Sequence, residues 1–201
     1  MIIGIFTDTF YPEVNGVATS CLNLYQELQR RGHTVHVYAP KCKGWEEFQS
    51  DTVHYLESKQ FILLKDRNVA LPGMGTIRQA LDMHFDVVHT NSEFIVGFLG
   101  TYIARHTGCI RIHTYHTVWE DYTYYITHGI GDNTAKNFAK RYSEWWCDRF
   151  DRVIVPTAKT ENLLRQYGVE TPIDIIPSGM DLRRFAPEKH SAEERAATRA
   201  E

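Results

Sequence analysis

No apolar run in this 201-residue chain approaches the roughly 20 residues that a membrane-spanning helix needs, so any contact with a bilayer is expected to be peripheral. Residues 1–6 are apolar but short, lack a basic flank and meet Asp8 at once. They read as a first strand and not as a signal peptide. Cysteine is scarce: Cys21, Cys42, Cys109 and Cys147 stand far apart, with no C-x-x-C pair. That pattern points to reduced, mostly buried thiols in a cytoplasmic protein. A G-x-G-x-x-G turn is missing, which counts against a dinucleotide site of the usual kind. So is a G-x-S-x-G elbow, which removes a Ser-His-Asp hydrolase of the α/β type. The net charge of −3 does not suit a nucleic-acid binder, and no internal repeats are present.

What is present is an alternation of strand and helix signals. Ile2–Thr7 is a continuous apolar run of strand length, followed by a loop with Pro12 and Asn15-Gly16. Val17, Cys21, Leu24 and Leu28 then recur at helical spacing, and Arg30-Arg31-Gly32 supplies cations and a terminating glycine. Strands are expected at Thr34–Ala39, Val53–Leu56, Phe61–Leu64, Phe85–Thr90, Ile110–Tyr115, Arg152–Pro156 and Ile173–Pro177. Helices are expected at Thr76–His84, Glu93–His106, Asn133–Phe150 and Thr160–Tyr167, with Phe138, Tyr142, Trp145 and Trp146 on one apolar side of the long one. This order predicts an α/β fold, a Rossmann-like doubly wound sheet that is mostly parallel. Residues 1–180 make that domain. Residues 181–201 turn charged and alanine-rich, with Ser191 and Glu194 spaced as a capping box, and read as a linker and the first helix of a further domain.

In such a sheet ligands bind beyond the carboxyl ends of the strands, so the loops there carry the candidate chemistry. Gly16 stands where the first helix begins, and its missing side chain would let a phosphate reach free backbone N–H groups; Asn15-Gly16 as a plain turn and cap is the bland alternative. Asn91, Ser92 and Glu93 follow an apolar strand directly, where Asn91 or Ser92 is equally a helix cap. His113 and His116 form an H-x-x-H pair without a third ligand in register, a weak metal signal. His113 reads better as a buried, hydrogen-bonded strand residue. His116 emerges at the strand's end, where its ring can meet a sugar hydroxyl or a phosphate oxygen.

Taken together these segments resemble the amino-terminal domain of glycosyltransferase family 4, retaining enzymes of the GT-B fold. The family's D-x-F-x-P-x-x-N-G-V loop is matched by Asp8, Phe10, Pro12, Asn15, Gly16 and Val17. Its R-G-H-x-V strand start is matched by Arg31, Gly32, His33 and Val35. Its histidine loop is matched by His116, and its P-N-G-[IV]-D-x-x-x-F exit by Pro177, Gly179, Asp181 and Phe185, with Ser178 and Met180 as mild departures. The resemblance implies that Asn15 and Gly16 lie against the donor diphosphate and that His116 sits near the transferred sugar. It also implies main donor contacts in a carboxyl-terminal domain, so residues 1–201 alone are expected to turn over nothing detectable.

Asp8, Tyr11, Glu93 and Asp121 are the candidate acceptor-binding residues. The segment from Thr114 to Ile126 looks like its counterpart in bacterial 1,2-diacylglycerol glucosyltransferases, which implies a nucleotide-sugar donor such as UDP-glucose and a lipid acceptor. Trp119, Tyr122, Tyr124 and Tyr125 suit an acceptor groove or an interface. Lys136, Lys140, Arg141 and Arg149, near Trp145 and Trp146, suit an anionic membrane on the cytoplasmic side, unless the tryptophans are core and the cations a solvated face. No cofactor or metal is expected. The competing expectations are transfer to a soluble sugar acceptor and a non-catalytic lipid- or protein-binding module.

Overall fold

The structure, a computed structural model, describes residues 1–60, 68–116 and 132–179, with isolated residues 191 and 199. In chain order its elements are β1 (Ile2–Phe6), α1 (Gly16–Arg30), β2 (Thr34–Pro40), β3 (Val53–Leu56), β4 (Ser58–Gln60), β5 (Asn68–Ala70) and α2 (Met74–Asp82). They continue as β6 (Val87–Thr90), α3 (Ile95–Thr107), β7 (Ile110–Thr114), α4 (Asp132–Cys147), β8 (Arg152–Val155), α5 (Ala158–Tyr167) and β9 (Ile173–Ile175). The expected strand at Phe61–Leu64 lies outside the described residues, as do Asp121, Trp119, Tyr122, Tyr124 and Tyr125 and nearly all of 181–201.

Seven strands form one sheet in the order β3-β2-β1-β6-β7-β8-β9, and each neighbouring pair is parallel. A short antiparallel ladder of β4 with β5 stands apart from it and was not expected from the sequence. The chain winds outward from β1 in one direction and from β6 in the other. The switch point therefore falls between β1 and β6, and the crevice beyond their carboxyl ends is where this architecture binds ligands.

Both sheet faces are apolar, as buried parallel strands require. Ile5, Val35, Val37, Ala39 and Val53 pack beneath Cys21 and Tyr25 of α1. On the opposite face Phe6, Tyr38 and Val88 pack against Val96, Leu99 and Ile103 of α3, with the Phe6 and Tyr38 rings stacked at 4.7 Å. The same face continues under α4 and α5 through Tyr115, Trp146, Val153, Val155 and Leu164. Phe6, Thr90, His113 and Val153 sit in register across it. Trp146 is fully buried there, and truncating it to alanine is worth about 3–5 kcal/mol.

The apolar side expected for α4 divides in two. Trp146 is core, whereas Phe138 is 71% exposed and Trp145 is 44% exposed, because Ala139, Ser143 and Cys147 complete the buried stripe. All four cysteines are free; Cys21, Cys42 and Cys147 are buried and Cys109 is half-buried.

Candidate active site

The loop from β1 to α1 is tied to itself. Asn15 caps α1: its Oδ1 accepts from the Ala18 N–H at 2.9 Å, and its Nδ2 donates to Thr9 Oγ1 at 2.7 Å. Thr9 Oγ1 in turn donates to the Glu13 carboxylate. Both ends of the Asn15 amide are thus engaged in shaping the loop that presents Gly16. Gly16 opens the helix, and a Cβ built there meets nothing within 4 Å. Among the described residues, a first side-chain carbon at that position stands in open space. Tyr11 sits on the same loop, its carbonyl accepting from Tyr55 Oη at 2.7 Å and its ring 5.4 Å from Phe48.

Asp8 turns the other way, toward α3. Its Oδ1 accepts from the Val96 N–H at 3.2 Å and its Oδ2 from Ser92 Oγ at 2.5 Å. Phe94, the N-cap residue of α3, makes no side-chain cap bond, so the first strand's loop supplies the cap that the helix lacks. Burial raises the Asp8 carboxyl above its ordinary value, and the hydrogen bonds from Ser92, Val96 and Gly97 oppose that shift. Gly97 lets the first turn of α3 lie close against the Ser92 backbone, since a Cβ there would lie 2.0 Å from the Ser92 carbonyl oxygen.

Beyond β6 and β7 the imidazoles take over. His113 is fully buried between Thr90 and Glu93, with Nδ1 2.8 Å from Thr90 Oγ1 and Nε2 3.2 Å from Glu93 Oε1. His113 is the buried, bonded strand residue that its sequence position implies. Glu93 itself is buried, its carbonyl accepting from Tyr142 Oη. His116 Nε2 lies 3.1 Å from Asn91 Oδ1. His89 Nε2 lies 2.7 Å from Thr114 Oγ1. Burial and the other histidines push His89 down to about 3 and His116 down to about 4, so both rings are neutral at physiological pH.

A cavity of about 680 Å³ opens beside α1 over the ends of β6–β8, and Asn23, His89, Asn91, Thr114, Ser178 and Gly179 help to line it. Asn23 Nδ2 donates to the Gly179 carbonyl at 3.0 Å, joining α1 to the chain that leaves β9. Among the described residues no group of three or more His, Cys, Asp or Glu could hold a metal ion. The strand ends thus bring together an open helix start, neutral imidazoles, hydroxyls and amides. That set can orient a polar ligand and stabilise charge on it.

The model of glycosyltransferase family 4 matches residues 14–184. The chain belongs to that family. Family 4 relatives include the alpha-monoglucosyldiacylglycerol synthases of Streptococcus pneumoniae, 36% identical over 92% of this chain and 42% of that enzyme, and of Acholeplasma laidlawii, 29% identical over 96% and 50%. A GDP-mannose-dependent alpha-mannosyltransferase of Mycobacterium tuberculosis is 25% identical over 92% and 49%. The chain therefore spans about half the length of the curated relatives it matches. Among solved structures, Anabaena HepE in complex with UDP-glucose has a TM-score of 0.60 at 13% identity over 98% of this chain and 49% of that one, which shows the shared GT-B fold.

Of the candidate residues, the structure gathers Asp8, Asn15, Gly16, Glu93 and His116 at the carboxyl ends of β1, β6 and β7, with Tyr11 on the same β1 loop. It engages Asp8, Asn15 and Glu93 with intramolecular partners. The cavity wall is instead built by His89, Asn91 and Thr114, of which the sequence marks Asn91 as a loop candidate or a helix cap and assigns His89 and Thr114 no role. The signal available was position alone: His89 is the penultimate residue of β6 and Thr114 the last of β7, both on the face of α1, and Asn91 is the first residue past β6.

Proposed function

We propose that residues 1–180 form the acceptor-side wall of a sugar-transfer site. In a protein of the relatives' length, that site transfers glucose from UDP-glucose to diacylglycerol with retention of anomeric configuration. The observation that carries this reading is the 36% identity over 92% of the chain to a monoglucosyldiacylglycerol synthase. The geometry supports it. Gly16 leaves the start of α1 open to a diphosphate, where free N–H groups and the helix dipole favour negative charge. His116 is neutral, so it serves as a hydrogen-bonding group and not as a cation or an acid. Catalysis then rests on orientation and on charge stabilisation of the leaving diphosphate, not on a side-chain base. The nucleotide itself is held mainly by residues outside 1–180.

A lipid acceptor requires the site to work at a bilayer surface. Phe94, Phe98 and Tyr102 of α3 and its start are 55%, 43% and 45% exposed, beside the exposed Phe138 and Trp145 of α4. Phe98 and Trp145 have ring centroids 6.1 Å apart, and the Arg149 guanidinium lies 3.3 Å over the Trp145 ring. Aromatic side chains rimmed by cations suit peripheral docking on anionic lipid. No helix among the described residues is long and apolar enough to cross a membrane.

The test is a donor and acceptor panel on the full-length protein. UDP-glucose and GDP-mannose are each offered with diacylglycerol vesicles or with soluble sugars. Glucosyl transfer to the vesicles is expected. Transfer to soluble sugars alone would remove the lipid acceptor, and transfer from GDP-mannose alone would remove the donor.

A further inference from the structure

Asn91 stands at the switch point with one half of its amide used and the other half idle. Its backbone N–H donates to the Phe6 carbonyl at 2.8 Å, which pins it to β1. Its Oδ1 faces His116 Nε2 at 3.1 Å. Its Nδ2 has no hydrogen-bond partner, although the residue is only 4% exposed and lines the cavity beside α1. A buried N–H donor without an acceptor is costly to a fold and marks a place where a partner from outside belongs.

The neighbours set the chemistry of that partner. His89 and Thr114 are bonded to each other across the cavity wall, so neither competes for the Asn91 amide. Arg30, the cation among the described lining residues, is paired with Glu27 at 2.7 Å. Beside that ion pair and the apolar Leu24, Ile154 and Ile176, the polar groups the wall offers are hydroxyls, amides and the neutral His89 imidazole, which match a polyol better than a phosphate.

We propose that the Asn91 side-chain N–H donates to a hydroxyl oxygen of the donor's hexose, and that His116 acts as a positioning residue by holding the Asn91 oxygen away from the cavity. This inference rests on the proposed function and names the group that reads the sugar. A neutral His116 with its proton on Nε2 donates to Oδ1, which leaves Nδ2 as the only end of the amide that can face the ligand. Asn91 then discriminates the sugar, whereas Gly16 admits the diphosphate.

The experiment measures binding of UDP and of UDP-glucose to the full-length protein, wild type and Asn91→Ala. Loss of one such hydrogen bond is expected to weaken UDP-glucose binding about tenfold and to leave UDP binding unchanged. Asn91→Asp keeps the oxygen that His116 bonds while removing both N–H groups, and serves as the second variant where Asn91→Ala does not fold. With either variant, the change in affinity should vanish for the one UDP-deoxyglucose that lacks the hydroxyl held by Asn91. Equal loss for UDP and for every sugar analogue, or no loss at all, overturns the assignment of Asn91 alone. Failure of the wild-type protein to bind UDP-glucose overturns the proposed function and this assignment with it.

Discussion

The carboxylate of Asp8, at the end of β1, caps the helix that follows β6: its Oδ1 lies 3.2 Å from the Val96 backbone nitrogen, across 88 residues of sequence. Replacing Asp8 by alanine removes that cap and leaves Ser92 Oγ without its acceptor. A loss of about 1 kcal/mol in unfolding free energy is expected. Asp8→Asn, which retains an oxygen for Val96, should lose less. Urea denaturation checks this. An Asp8→Ala protein as stable as wild type would show that the cap is immaterial and would free Asp8 for a role toward the acceptor alone.

Two glycines near the switch point should respond oppositely. At Gly97 a Cβ would lie 2.0 Å from the Ser92 carbonyl and 3.2 Å from Trp146, so Gly97→Ala must push α3 off the strand ends. The cost is expected to be about 1–3 kcal/mol, with a lowered Tm. At Gly16 the same atom meets nothing, so Gly16→Val should hold its stability to within about 0.5 kcal/mol and instead impair donor binding. Thermal melting with and without UDP-glucose separates the two. A Gly16→Val protein that binds donor as wild type does would contradict a diphosphate at that helix start.

Burial together with His113 holds His116 down to about 4, below the roughly 6.5 of a free imidazole. Between those two values the unfolded chain binds the proton and the folded one does not. Stability therefore falls as pH drops from about 6.5 toward 4, and is insensitive to this residue above that window. His116→Gln preserves an N–H toward Asn91 Oδ1 but does not titrate. Denaturation at pH 7.5 and pH 5 should show a smaller acid loss in the variant than in wild type. An identical loss would mean that the ring is not desolvated as the structure places it.

Much of the fold was legible because parallel strands buried on both faces read as short apolar runs, as at Ile2–Phe6 and Val87–Thr90. The loops beyond those strands were legible as a site for the same reason, since strand order dictates where a crevice opens. The uses of individual side chains were not. Nothing local to Asp8 reveals that a helix start far along the chain lacks a cap, and nothing local to Asn91 reveals that its oxygen is taken and its nitrogen is not. On α4, periodicity grouped Phe138 and Trp145 with Trp146. Only the packing of Ala139, Ser143 and Cys147 shows which aromatic ring goes inward. The β4–β5 ladder escaped because strands of three residues carry almost no periodic signal.

The proposed reaction is glucosyl transfer from a nucleotide sugar to diacylglycerol with retained configuration. The most direct measurement incubates the full-length protein with UDP-α-glucose and diacylglycerol vesicles and reads the anomeric proton coupling of the extracted glycolipid. A glucosyldiacylglycerol with the α configuration is the expected product. A β-linked product, or glucose appearing on soluble acceptors and never in the lipid fraction, would contradict it.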